Sequence, residues 1–101
     1  MLSTLLKTPQ DIRLEIAARA KERRLDLNIS QQELAERSGV SLGSIKRFES
    51  SGLVSLASLL EIALVLERSA DFDDIFAAKV APASLFSPEP AKRKRSGRKN
   101  K

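Results

Sequence analysis

Between Ser41 and Arg47 the order Ser-Leu-Gly-Ser-Ile-Lys-Arg sets two adjacent cations a few places after a serine. An arginine guanidinium is a rigid fork of N–H donors. It can grip two acceptors at once, such as O6 and N7 of guanine. Arg47 is the strongest candidate for that contact, and Lys46 could read guanine or hold a phosphate. Leu42 could cover a thymine methyl, while Gly43 brings no side chain to a reading surface. The bland alternative for Lys46 and Arg47 is a solvated helix face. No comparable set supports enzyme chemistry. The chain has no His and no Cys, and no glycine-rich phosphate loop. Asp71, Asp73 and Asp74 stand together without ligand spacing and suit the acidic first turn of a helix. No catalytic residue, metal or cofactor is expected.

These residues need an element to present them. Ser30 to Glu49, SQQELAERSGVSLGSIKRFE, reads as two short helices joined at a tight turn. Ser30 is an N-cap with Glu33 three places on, the spacing of a capping box. Leu34 and Ala35 share a face, and the small Ala35 permits close approach. Gly39 suits a left-handed C-terminal stop, Val40 can plug the gap, and Ser41 is a second N-cap. Ile45 and Phe48 then point inward at helical spacing, which leaves Leu42, Gly43, Lys46 and Arg47 on the outer side. Such a unit presents the start of its second helix to the major groove of DNA.

The segment resembles the helix-turn-helix of the Cro and lambda-repressor group, the XRE family. Gln31, Leu34, Ala35, Gly39, Val40, Ser41, Ile45 and Glu49 carry the likeness, which extends over about Ile12 to Phe76. The resemblance implies base reading by Leu42, Gly43, Lys46 and Arg47. It implies phosphate contacts from Gln31, Ser41 and Ser44, where helix starts offer free N–H groups. It also implies a structural pair, Arg24 with Glu49, locking the first helix to the third. One departure is clear. The family places glycine two residues after the glutamate and often proline four later; here Ser51 and Ser55 stand there, and the glycine is Gly52. The run FESSG, a leucine-rich helix and DFDDIF also resemble, more weakly, HipB-type antitoxins encoded beside HipA-type kinases.

At 101 residues the chain suits one domain. Its four aromatics are all Phe, so Leu, Ile, Val and Ala must build the core, and no alternating pattern argues for a sheet. The expected fold is all-α: a compact five-helix lambda-repressor-like domain over residues 9–80. Residues 1–8 form a lead-in, and residues 81–101 a Pro-containing linker and basic tail expected to be disordered. The first helix opens at Thr8-Pro9 and runs to about Leu25, with Ile12, Ile16, Ala17, Ala20 and Arg24 as its stripe. Asn28 turns the chain. Helix two spans about 31–38 and helix three about 42–50. Ser55 caps a helix with Leu56, Leu59, Leu60, Ala63 and Leu66 inward, read as a buried core helix. Asp71 to Ala78 reads as a short fifth helix with Phe72, Ile75 and Phe76 on one side.

The net charge of +5 is concentrated at one end. Lys92, Arg93, Lys94, Arg95, Arg98, Lys99 and Lys101 fall in the last eleven residues, with no acid. Removing those seven leaves 11 basic residues against 13 acids, so the chain up to Ala91 is net −2. The tail reads as a DNA-contacting arm, as a docking peptide around Leu85 and Phe86, or as a solubilising segment. Without cysteine there is no disulfide or zinc-thiolate site. No targeting segment or membrane span is visible, and a cytoplasmic location is expected.

These readings point to a sequence-specific regulator, a repressor of its own operon, binding double-stranded DNA at a palindromic operator. It is expected to act as a homodimer. Phe72, Ile75 and Phe76 either contribute to the dimer contact or pack onto helix four. The alternative, compatible with repression, is an antitoxin that neutralises a HipA-type kinase toxin by direct binding.

Overall fold

A computed structural model of the protein describes residues 6–78. Four α-helices and one 3-10 turn make up its regular structure: α1 Pro9–Asp26, α2 Gln31–Ser38, α3 Leu42–Ser51, α4 Leu56–Val65, then the 3-10 turn Ser69–Phe72. No strand occurs among the described residues.

Each helix starts where its cap dictates. The Thr8 hydroxyl accepts from Asp11 N–H at 3.1 Å, and the Asp11 carboxylate accepts from Thr8 N–H at 3.0 Å. Ser30 and Glu33 make the same reciprocal box, both bonds 3.0 Å. Two of the free N–H groups at each helix start are thereby satisfied. Ser41 and Ser55 cap α3 and α4 by accepting from the N–H three residues on. Asn28 takes φ 61° after α1, a conformation asparagine tolerates better than most. Gly39 ends α2 at φ 78° and Gly52 ends α3 at φ 77°. Gly52 has a second constraint: a Cβ there would stand 2.6 Å from Cβ of Arg13 and 2.7 Å from its carbonyl group. The end of α3 therefore rests directly on the backbone of α1.

Ala17, Ile29, Leu34, Val40, Ile45, Phe48, Ile62 and Leu66 form the core. α1 packs on α3, and α2 packs on both α3 and α4. α3 and α4 turn through 96° across the break that holds Gly52, so α4 closes the core from a different side.

Three expectations need correction. There is no fifth α-helix among the described residues. The segment makes only the 3-10 turn and a further turn, bounded by positive φ at Glu67 and Phe76. Aspartate at three of four positions from Asp71 is poor helix material, and the Arg68 side chain captures Asp71 at 3.1 Å. Phe72 is half-buried, whereas Ile75 and Phe76 are exposed. The inward stripe of α1 is shifted as well. Ala17 and Arg24 are buried and Ala20 half-buried, while Ile12 and Ile16 are exposed. The seam at spacings of three and four runs through Ala17, Ala20 and Arg24, one position off both isoleucines. Finally, α4 is buried on one face only: Ile62, Ala63 and Leu66 are covered, but Leu56, Leu60 and Leu64 are not. Residues 79–101, which include the linker and every tail cation named above, lie outside the described residues, as do residues 1–5.

Candidate nucleic-acid interface

The inner side of α3 is anchored by two kinds of contact. Ile45 and Phe48 are at most 1% exposed. Beside them Glu49 meets Arg24 through two bonds, Nε to Oε2 at 2.7 Å and Nη2 to Oε1 at 3.0 Å. The third donating nitrogen, Nη1, reaches the Ile29 carbonyl at 2.8 Å. Gln31 Nε2 also donates to Glu49 Oε1, at 2.9 Å. The Arg24–Glu49 pair thus ties together α1, the α1–α2 loop, the start of α2 and the end of α3. Burial pushes the Glu49 carboxyl up, but the hydrogen bonds from Arg24 and Gln31 and the Arg24 charge outweigh it. The net effect holds Glu49 below the usual carboxylate range.

The outer side of α3 is open. Gly43, Ser44, Lys46 and Arg47 are exposed and Leu42 is half-buried against the core. Neither Lys46 nor Arg47 makes an ion pair or donates a side-chain hydrogen bond among the described residues. Ser41 and Ser44 join hydroxyl to hydroxyl at 2.9 Å, beside the helix start. Backbone N–H groups in the first turn of a helix favour anions. Gln31 stands at the first position of α2; one hydrogen of its side-chain amide goes to Glu49, and its backbone N–H is among the free donors of the helix start.

Ser44 and Arg47 also border a shallow groove completed by Leu53, Val54, Ser55 and Ser58 from the loop and the start of α4. The serine at the family's glycine position has a structural use here. Ser51 Oγ donates to the Arg47 carbonyl at 2.6 Å and accepts from Leu53 N–H at 3.2 Å. The loop is tied down by a side chain, and Gly52 makes the turn one residue later.

Sequence reasoning missed the Gln31–Glu49 and Arg24–Ile29 bonds and the approach of Ser55 and Ser58 to Arg47. The first had a partial signal, since Gln31 and Glu49 both occupy motif positions. The other two depend on how distant segments meet and leave no local trace.

No group of three or more His, Cys, Asp or Glu among the described residues could hold a metal ion. No single helix there is long and apolar enough to cross a membrane. A family model described as helix-turn-helix, HTH_3, matches residues 21–72, just over half of the chain. No curated protein and no solved structure matches it.

Proposed function

The chain belongs to the XRE-type helix-turn-helix family of DNA-binding transcriptional regulators, and from that premise we propose that it represses its own operon as a homodimer on a palindromic operator. The observation that carries this reading is the outer side of α3, where exposed Lys46 and Arg47 have no side-chain partner among the described residues, on a helix whose inner side is immobilised. A cation held on a rigid element and left unpaired is pre-organised for a ligand. Arg47 reads guanine through its fork of donors, Lys46 reads guanine or holds a phosphate, and Leu42 meets a thymine methyl. Gly43 lets the backbone come close. The first-turn N–H groups near Gln31 and Ser41, with the Ser44 hydroxyl, seat the phosphates. Two subunits reading successive major grooves place half-site centres about 34–36 Å apart. Phe72, Ile75 and Phe76 contribute to the contact between subunits. The cations from Lys92 to Lys101 add sequence-independent affinity as an arm along the phosphates.

The decisive experiment is Arg47→Ala on an operator selected from random duplexes. A bidentate contact is worth roughly 1–3 kcal/mol, so preference for operator over scrambled DNA falls about 5- to 150-fold. Unchanged preference in fluorescence anisotropy sinks the assignment. A second reading, an antitoxin that also neutralises a HipA-type kinase, is supported by the FESSG and DFDDIF runs and by the exposure of Ile75 and Phe76. Co-purification of a kinase encoded beside this gene tests it.

A further inference from the structure

α4 has two apolar faces. Ile62, Ala63 and Leu66 close the core, whereas Leu56, Leu60 and Leu64 are 66%, 41% and 64% exposed. The exposed three recur every fourth residue, so they form one stripe along the helix. Glu61 is the only ionisable residue of α4. Ala63 stands three places after Leu60 and borders a groove between α1 and α4, where apolar Ile16, Leu59 and Ile75 stand among charged residues such as Arg19, Arg23 and Asp71. Ile12, one turn before Ile16, is 45% exposed. Apolar groups this contiguous on a surface mark an interaction site rather than scattered exposure.

We propose that this face seats a second copy of the same chain, with the two α4 helices antiparallel about a twofold axis at Leu60. The inference rests on the homodimer reading above and assigns its surface. Three features select a second copy. The stripe is symmetric about Leu60, with Leu56 and Leu64 four residues to either side. A twofold there sets Leu60 against Leu60 and Leu56 against Leu64, the self-complementarity an isologous contact requires. The area suffices when the whole face is covered: the exposed parts of Ile12, Ile16, Leu56, Leu60, Leu64 and Ile75 come to at most roughly 550 Å² per subunit, so a pair that buries all six reaches the ~1,000 Å² expected of a specific interface. The near absence of charge on α4 offers nothing for a partner of opposite charge to recognise, while contact with its own copy needs none.

Because the chain has no cysteine, single-cysteine variants of the full-length protein report the geometry directly. Under mild oxidation Leu60→Cys forms a covalent dimer. A mixture of Leu56→Cys and Leu64→Cys cross-links, and either alone does so far less. In analytical ultracentrifugation Leu60→Glu weakens the dimer by about tenfold or more, since it sets two unpaired charges at the contact. Its circular dichroism is unchanged, because Leu60 is already exposed. If the wild type is dimeric but Leu60→Cys does not cross-link and Phe76→Cys does, this surface assignment fails and the homodimer reading stands. A wild type that is monomeric at micromolar concentration overturns both and leaves the face to a different protein.

Discussion

Arg24 and Arg47 carry the same guanidinium into opposite surroundings. Arg24 is 6% exposed, and all three of its nitrogens donate to protein acceptors. Arg47 is exposed, and its side chain has no partner among the described residues, while its backbone carbonyl accepts from the Ser50 and Ser51 hydroxyls. The two meet opposite sides of α3. A buried charge with a partner for each nitrogen fixes where a helix lies, and an unpaired charge on the solvent side is free to act on something else. If Arg47 reads DNA as proposed, stability and recognition are separable in this molecule, with Glu49 and Arg47 only two residues apart.

The sharpest way to break that contrast is to remove one partner of the buried pair. Glu49→Ala strands the Arg24 guanidinium and destabilises the fold by about 3–5 kcal/mol. Urea unfolding followed by circular dichroism measures it. Arg47→Ala in the same assay shifts stability by no more than about 0.5 kcal/mol. A similar loss from both variants would show that the outer side of α3 is structural as well.

Gly52→Ala comes next. A non-glycine residue held at positive φ costs about 1–3 kcal/mol, and the new methyl also meets Arg13. The thermal midpoint falls, while operator preference per folded molecule is retained. Gly43→Ala, with open space around it, leaves the midpoint almost unchanged. Its effect is read in DNA binding.

Acid probes the same knot without mutation. The folded-state pKa of Glu49 lies below its ordinary value of 4.5. The unfolded chain therefore takes up the proton first, and stability present above that value declines as pH falls through the folded-state pKa. Glu33 is lowered too, first by the Ser30 backbone N–H, so wild type must be compared with Glu49→Gln. The urea midpoint of the wild type drops more steeply below pH 4.5 than that of the variant. Parallel curves would remove Glu49 from the account.

The smallest expected effect on stability concerns the far end of the chain. Deleting Ala91 to Lys101 leaves the unfolding midpoint unchanged but lowers affinity for every duplex and flattens its salt dependence. In duplex DNA the log–log slope changes by about 0.9 for each phosphate that is no longer neutralised. Operator preference survives. An unchanged slope would show that these seven cations do not touch DNA.

The local features of this protein were legible from its residues alone. Thr8, Ser30, Ser41 and Ser55 started four helices, and Gly39 and Gly52 stopped two, because a hydroxyl's reach to the third N–H and a glycine's tolerance of positive φ are properties of a few adjacent residues. The all-helical class and the inward Ile45 and Phe48 followed from periodicity. Short-range chemistry ran out where a residue's fate depended on what lay opposite. The segment from Asp71 to Ala78 had a helical pattern, but its eight residues, three of them aspartate, are too few to sustain a helix on their own; the 3-10 turn ends inside it at Phe72, and Phe76 takes a positive φ. Ile12, Ile16, Leu56 and Leu60 matched the hydrophobic pattern and are still exposed, since periodicity shows that a face is apolar but not which neighbour covers it. Gln31 joining Glu49 and Arg24 reaching the Ile29 carbonyl were likewise decided by tertiary structure. The sequence by itself determined where the four helices begin and which glycines end α2 and α3. Only the meeting of α1, α2 and α3 around one carboxylate decided which charges are locked inside and which remain free, because burial and pairing belong to the assembled chain.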